Sequence, residues 1–324
     1  MIHYCTYFDR NYLTRAMALH RSLVRHSPPF TLWALCFDDD TYAALESLQL
    51  AGVEPIRLAE LEAADPELVE VKSSRTTVEY YFTCSPSLPL HVMRGHSEVE
   101  LITYLDADLL FYSSPQPIFD ELGEGSVLIV PHRFPEHLRH LEVHGVYNVG
   151  LLSFRDDARG RAVLERWREQ CLEWCFDRVE DGRFADQRYL DDWPGRPGVV
   201  ILQDPGAGLA PWNFMRHRID LGTEPPSVDG RPLVFYHFQG VKAIRPGLWD
   251  VGLDEYGSME PALRAWLYRG YIRELRSAGR AVRSRGAGGP VQALSIRQGS
   301  YTWRQVAGRI RRGQVIVSIG TVGR

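Results

Sequence analysis

The sequence predicts an α/β protein on a largely parallel sheet, with a basic appendage at its C-terminal end. Three observations carry that reading. Short runs rich in β-branched and aromatic residues alternate with helix-like runs over the first 270 residues, the pattern of strands joined by crossover helices. With 324 residues, 44% of them hydrophobic and 24% charged, the chain is long enough for one large domain plus an appendage and too apolar for a disordered or collagen-like protein. Charge is also split along the chain: from Tyr271 to Arg324 eleven arginines stand against one acid, Glu274, a balance of +10 that leaves −14 on the residues before it.

The first strand is IHYCTYF, and behind Asn11, a good helix cap, Leu13, Ala16, Met17, Leu23 and Val24 recur at helical spacing. FTLWALCF follows as the second strand, and Asp38 and Asp40 then read as caps of the helix TYAALESL. VEPIRL, VELITYL, SVLIV and VYNVGLLSF are further strands, bounded by Gly, Pro, Asp or Ser. A second long helix is expected over Ala158 to Phe176, with Val163, Trp167, Cys171 and Trp174 on one face, followed by the strands VVILQ and PLVFYHF. Irregular segments interrupt the pattern from about Pro131 to Gly150 and after Gly206. The five cysteines, Cys5, Cys36, Cys84, Cys171 and Cys175, are odd in number and lack CxxC spacing, so they read as reduced core residues. MIHYCTYF has no charged leader, and no run approaches the roughly 18 apolar residues of a membrane span, so a cytoplasmic location is expected.

VELITYL ends in Asp106, Ala107 and Asp108. In extended backbone the two carboxylates project to one side while Ala107 turns away, at the carboxyl end of a strand where open α/β sheets collect ligands. Two convergent carboxylates repel unless a cation lies between them, and a hard ion such as Mn²⁺ or Mg²⁺ that can share a diphosphate is the natural occupant. Asp-x-Asp is also a common tripeptide, as Asp38 and Asp40 show. His137, His140 and His144 share a spacing that a zinc site could use, but Pro135 and Gly145 bracket a short segment, and an acceptor-side loop is the expectation.

FDRNYLTRAMALHRSL (Phe8 to Leu23), YLDADLLFYSSPQPIFDEL, VYNVGLLSF (Val146 to Phe154), ADQRYLDDW (Ala185 to Trp193), APWNF (Ala210 to Phe214) and YHFQGVK (Tyr236 to Lys242) stand in the order found in GT-A fold glycosyltransferases. They are most similar to family 8, the group of glycogenin and the bacterial lipooligosaccharide galactosyltransferases. The resemblance implies a GT-A (Rossmann-like) mixed sheet, mainly parallel and flanked by helices. It also implies a metal-dependent enzyme that moves a sugar from a nucleotide-diphosphate sugar to a hydroxyl acceptor (a glycan, a lipid-linked sugar or a small molecule) with retention of configuration. By the same resemblance Tyr7, Asp9, Asn11 and Tyr12 hold the donor's base, Arg75 or Lys72 contacts the donor, Asp106 bridges ribose and metal, and Asp108 and His237 complete the metal ligands. Lys242 meets the diphosphate, Ala107, Asn148, Gly150 and Gly240 border the donor, and Asp186 and Gln187 lie beside the anomeric carbon as the catalytic pair. The sequence departs from the family pattern at Arg188, where an acid is usual, over RTTVEYYFTCSPSLPLHVM, which is less regular than the helix found there, and at Ala243, Ile244 and Arg245.

Two other readings compete with that one. A sugar-phosphate nucleotidyltransferase fits the acids and the sheet, but no Gly-rich basic loop follows the first strand; from another class come a catalytically silent nucleotide-sugar binder and a nucleic-acid binder acting through its basic tail. Nucleic acid is the less expected partner. RSRGAGGP, Arg283 to Pro290, has linker composition and places a boundary near Gly279 to Pro290, while the resemblance ends near Gly270. The expected division is a glycosyltransferase domain over 1–270 and an arginine-rich tail over 271–324. In the tail, YTWRQVAGRIRR could gather Trp303, Val306 and Ile310 on one helical face as a peripheral anchor on the inner face of an anionic membrane. Alternatively GQVIVSIGTV could pair as a strand with the body or with a second subunit.

Overall fold

The computed structural model describes residues 1–245, 247–284 and 301–318. β1 (Ile2–Phe8) is buried along most of its length and pairs in parallel with β2 (Phe30–Cys36), from Ile2↔Phe30 through Phe8↔Cys36. Between them runs α1 (Leu13–His26), which ends on Arg25 and His26, cations placed favourably at a helix C-terminus. α2 (Asp39–Leu48) is capped by Asp38, whose carboxylate accepts from the Thr41 amide at 2.9 Å. Asp40 instead pairs with Arg10 at 2.7 Å. β3 (Val53–Arg57) adds a third parallel strand, and four short helices follow: α3 (Leu58–Ala64), α4 (Pro66–Lys72), α5 (Thr77–Cys84) and α6 (Ser87–Gly95).

β4 (Leu101–Leu105) returns to the centre of the sheet beside β1, and β5 (Leu109–Phe111) and α7 (Gln116–Leu122) come next. β6 (Val127–Pro131), β7 (Tyr147–Arg155), α8 (Ala158–Glu173) and β8 (Val199–Ile201) complete a seven-stranded sheet of order β3-β2-β1-β4-β7-β6-β8. Only the β4–β7 and β6–β7 pairings are antiparallel. β9 (Ala207–Leu209), the small meander of β10 (Ile219–Asp220), β11 (Ser227–Val228) and β12 (Arg231–Pro232), and β13 (Phe235–His237) follow, and β5, β13 and β9 form a second sheet. β14 (Lys242–Arg245) and β15 (Leu248–Asp250) make a hairpin; after α9 (Pro261–Ser284) and α10 (Trp303–Arg311), β16 (Val315–Val317) pairs with β15.

Apolar side chains fill both faces of the large sheet. On one side Tyr80, Leu88, Leu90, Trp167 and Cys171 pack against Cys5, Ile102 and Leu152; on the other Leu19, Leu23, Ile118 and Leu122 pack against Tyr4, Leu105 and Leu151. Each such side chain contributes about 1.5–3 kcal/mol on burial. All five cysteines are free and buried. Among the described residues no helix is long and apolar enough to cross a membrane.

Several local expectations change. Asn11 does not cap α1: Tyr12 holds the cap position, and the Asn11 amide donates to Asp9 at 2.9 Å. The second long helix stops at Glu173, because Trp174 is extended. The segment from Arg75 to Met93 resolves into α5, started by a Thr76/Glu79 capping box, and α6. Position 270/271 falls inside α9, whose Tyr268, Tyr271, Ile272 and Leu275 are all buried, so the start of the basic tail belongs to a helix packed on the body. In the tail, Val306 points inward while Trp303 and Ile310 are exposed, and β16 pairs with the body as a strand. The linker-like stretch lies mostly outside the described residues.

Candidate active site

Strand alternation places Tyr104 and Asp106 on the same side of the chain as β4 runs out, and the Tyr104 hydroxyl donates to Asp106 Oδ1 at 2.8 Å. The Asp106 amide donates to the Gly150 carbonyl at 2.9 Å, so the loop stays tied to β7. Beyond it, β5 pairs antiparallel with β13 in the register Leu109↔His237, and the Phe238 amide donates to the Asp108 carbonyl at 3.0 Å. That pairing carries the imidazole in. His237 Nε2 lies 3.1 Å from Asp108 Oδ1 and 3.6 Å from Asp106 Oδ2. One ligand atom from each of the three residues falls within 4.8 Å of the others, and no other such group of three occurs among the described residues. Gly150 makes room for the ring: a Cβ there would sit 2.9 Å from His237 Cε1 and Nδ1. The Trp212 ring meets the imidazole edge-on at 5.2 Å.

Burial alone would pull the His237 imidazole down, but the Asp108 and Asp106 carboxylates outweigh it and hold its pKa above the ordinary value. Asp106 is pushed up by burial, against the pull of His237 and with help from the Asp108 charge. Burial pushes Asp108 up as well, yet His237 and the Arg15 guanidinium bring it below the usual range. Two carboxylates sharing so small a space are satisfied by a cation, and two carboxylate oxygens with one imidazole nitrogen form a donor set that fits a divalent ion.

Other expected residues take defined places around this triad. The Tyr7 hydroxyl bonds Ser85 Oγ at 3.1 Å, and its ring sits edge-on to Phe37 at 5.3 Å. Phe37 and Tyr81 stack at 3.8 Å. The Asp9 carboxylate takes the Asn11 amide and, at 3.5 Å, the Tyr81 hydroxyl, while Tyr12 is exposed beneath the Arg15 guanidinium at 4.3 Å. Ala107 is buried. Asn148 is buried between β7 and β6, accepting from the Gly150 amide at 3.1 Å and donating to the Val130 carbonyl at 3.2 Å. Asp186 is 4% exposed, and its Oδ2 has no hydrogen-bond partner among the described residues. Burial pushes its pKa up to about 7, with the Asp106 charge adding to the shift and Ser85 opposing it. Gln187 donates to the His144 carbonyl at 3.0 Å, which ties it to the segment over Glu136–His144. Gly240 has φ +80 and lies against Gly252, where a Cβ on Gly252 would come within 2.8 Å of the Gly240 carbonyl carbon.

Two basic residues turn away from the triad. Arg75 donates to the Leu172 carbonyl at 3.1 Å and stacks on Phe176 at 4.1 Å, and Lys72 pairs with Glu62 at 2.6 Å. The unusual Arg188 pairs with Asp191 and with the Glu142 carbonyl. Residues that sequence reasoning missed also meet the site. Tyr104 could have been read from the alternation that flagged Asp106. Arg15 is 4% exposed and donates to the Asn11 and Val241 carbonyls, linking the loops after β1 and β13; helical spacing alone gives no sign of that.

No family model matches the sequence. The chain is 34% identical over 250 residues to "Uncharacterized protein YfnF" of Bacillus subtilis (strain 168), covering 82% of that protein and 74% of this one. It is 32% identical over 246 residues to "Uncharacterized protein YfnD" of the same organism, covering 78% of it and 75% of this chain. Among solved structures it resembles the galactosyltransferase LgtC in complex with donor and acceptor sugar analogs, with TM-score 0.51 and 15% identity over 85% of this chain and 96% of that one. It also resembles the glycosyltransferase GlyE of Streptococcus pneumoniae TIGR4, with TM-score 0.50 and 15% identity over 90% of this chain and 65% of that one. The mixed sheet flanked by helices is thus the GT-A fold.

Proposed function

Because the chain belongs to the family of the Bacillus subtilis proteins YfnF and YfnD and has the GT-A fold, we propose that it is a glycosyltransferase taking its sugar from a nucleoside-diphosphate donor. The observation that carries this reading is the convergence of Asp106, Asp108 and His237, from the end of β4 and from β13, at the carboxyl edge of the central sheet. Asp106, Asp108 and His237 would hold a divalent ion, and the imidazole, a softer donor than Mg²⁺ prefers, favours Mn²⁺. When bound, that ion supplies positive charge for the diphosphate as it leaves.

The chain's own residues define the rest. Tyr7, Asp9, Asn11 and Tyr12, with the stacked Phe37 and Tyr81, form the wall that receives the base and ribose. Lys242, whose side chain is 41% exposed, presents an ammonium to the diphosphate. Asn148, Gly150, Ala107 and Gly240 shape the space beside the sugar. Asp186 Oδ2, buried and without a partner, accepts a sugar hydroxyl or faces the anomeric carbon as positive charge develops there, and Gln187 closes that side together with the His144 carbonyl. The acceptor oxygen would bond the anomeric carbon on the face from which the diphosphate departs, its proton passing to the departing phosphate oxygen, so that configuration would be retained. On α10, exposed Trp303 and Ile310 with Arg304, Arg311 and Arg312 offer a peripheral contact for an anionic membrane carrying a lipid-linked acceptor.

Donor hydrolysis over a panel of nucleotide sugars with Mn²⁺ tests the reading. Wild-type protein turns one of them over, chelator stops it, and Asp108→Asn lowers turnover at least about a hundredfold with the fold intact by circular dichroism. Asp38→Asn leaves turnover unchanged, and proton NMR of the transfer product from an α-linked donor shows an α-linkage. Full activity of Asp108→Asn would sink the metal-dependent mechanism.

A further inference from the structure

The arginine-rich tail reaches the donor lysine. Lys242 and Asp250 face each other across the β14–β15 hairpin, and Asp250 is 1% exposed. A carboxylate so deeply buried must be paired, and its partners come mostly from the C-terminal segment. Arg309 Nη1, on α10, lies 2.7 Å from Asp250 Oδ2, and the Tyr301 hydroxyl donates to the same oxygen at 3.2 Å. The Gly252 amide donates to Oδ1 at 3.1 Å. Arg309 also pairs with Asp254 and stacks over the Tyr301 ring at 4.6 Å, so its direction is fixed. Lys242 Nζ is left 3.9 Å from Asp250 Oδ2, too far for a hydrogen bond, and 5.5 Å from the centre of the Tyr301 ring over which Arg309 also stacks.

We propose that Arg309 is the counter-ion of Asp250 and so a positioning residue that keeps the Lys242 ammonium free for the donor's diphosphate. The argument is one of competition for a single buried anion. With Arg309 in place the Asp250 carboxylate is neutralised by a charge-assisted bond of ordinary length, and the three N–H donors of Lys242 remain available. Without it, the other cation within 4 Å of the stranded carboxylate among the described residues is Lys242, which closes the remaining gap, forms the pair itself and turns from the diphosphate. The C-terminal segment therefore acts on donor binding without touching the donor. This inference rests on the donor reading above.

Calorimetric titration of the full chain with UDP, GDP, ADP and dTDP in the presence of Mn²⁺ tests it. For the diphosphate that wild type binds, Arg309→Gln weakens binding about tenfold, equivalent to about 1.4 kcal/mol, and Arg309→Lys weakens it less. Adding Asp250→Asn to Arg309→Gln restores affinity to within about threefold of wild type, since no carboxylate remains to capture Lys242. Simple damage to the tail would not be rescued by a second substitution. Wild-type affinity in Arg309→Gln, or no recovery in the double variant, overturns the inference. Should Arg309→Gln fail to fold, Asp250→Asn alone decides: binding at least as tight as wild type is expected, and a loss as large as that of Lys242→Ala overturns the role. If wild type binds none of the four diphosphates, the donor reading fails and this inference falls with it. If wild type binds and Asp108→Asn does not, an unaffected Arg309→Gln removes this inference alone.

Discussion

Asp186 shows how one side chain can tie stability to chemistry. Its carboxyl is held protonated to about pH 7 by burial, against an ordinary value of 3.8. A carboxyl whose folded value is raised contributes most to stability at low pH, below the unfolded value, and that contribution is lost as pH rises through the folded one. Between pH 4 and pH 7 the free protein should therefore lose stability, by up to about 4 kcal/mol from this group at about 1.4 kcal/mol per pKa unit. Asp186→Asn, which has no charge to bury, should lose less of its urea midpoint between pH 5 and pH 8 than wild type does. On the proposed function the same substitution should cost about a hundredfold in sugar transfer, since there the orphaned oxygen would meet the sugar. Parallel pH dependence in the two proteins would show that Asp186 is ionised when the site is empty.

The elements around the triad act through close approach. Gly150, on β7, is where the backbone must lack a side chain for the His237 ring to lie against it, so Gly150→Ala should displace the imidazole and weaken Mn²⁺ binding at least about tenfold in a calorimetric titration, with little change in melting temperature. Unchanged Mn²⁺ affinity would mean that the ring has room to shift. The strand that presents Asp106 and Asp108 was legible in the sequence because alternation, hydrophobicity and turn residues agree over VELITYL. So were the buried face of α8 and the Asp38 cap. The pairing that completes the site was not. β5 is three residues between a carboxylate turn and a serine-rich turn, and its partner β13 stands about 130 residues away, so no local period marks either. The contacts of Arg75 were hidden for a related reason: its partners Leu172 and Phe176 become neighbours only when α8 docks on α5. Asn11 read as a cap from residue type, but its amide is better satisfied by Asp9 two positions earlier.

Over the whole molecule, the basic segment divides its arginines between inward and outward work. Arg309 is spent on Asp250 and Asp254, while Arg304, Arg311 and Arg312 are exposed near Trp303 and Ile310, Arg312 lying 3.6 Å from Asp254. At about 1 kcal/mol per arginine, three of them give roughly 3 kcal/mol toward an anionic surface, enough for reversible attachment. The full chain should co-sediment with phosphatidylserine vesicles at low salt, and Trp303→Ser combined with Ile310→Ser should release it; a wild-type protein that stays in solution would discard the membrane contact. The β5–β13 pairing has a further consequence, for the order in which the chain acquires its parts. The β1–β2 and β2–β3 pairings join strands that follow one another in sequence, but Asp108 meets His237 only after a loop of about 130 residues has closed, and closure entropy makes such contacts late in folding. On the ribosome, the carboxylates emerge long before the imidazole. A chain still being synthesised therefore carries two of the three candidate ligands without the third, and an affinity for a divalent ion that needs all three would belong to the finished molecule alone.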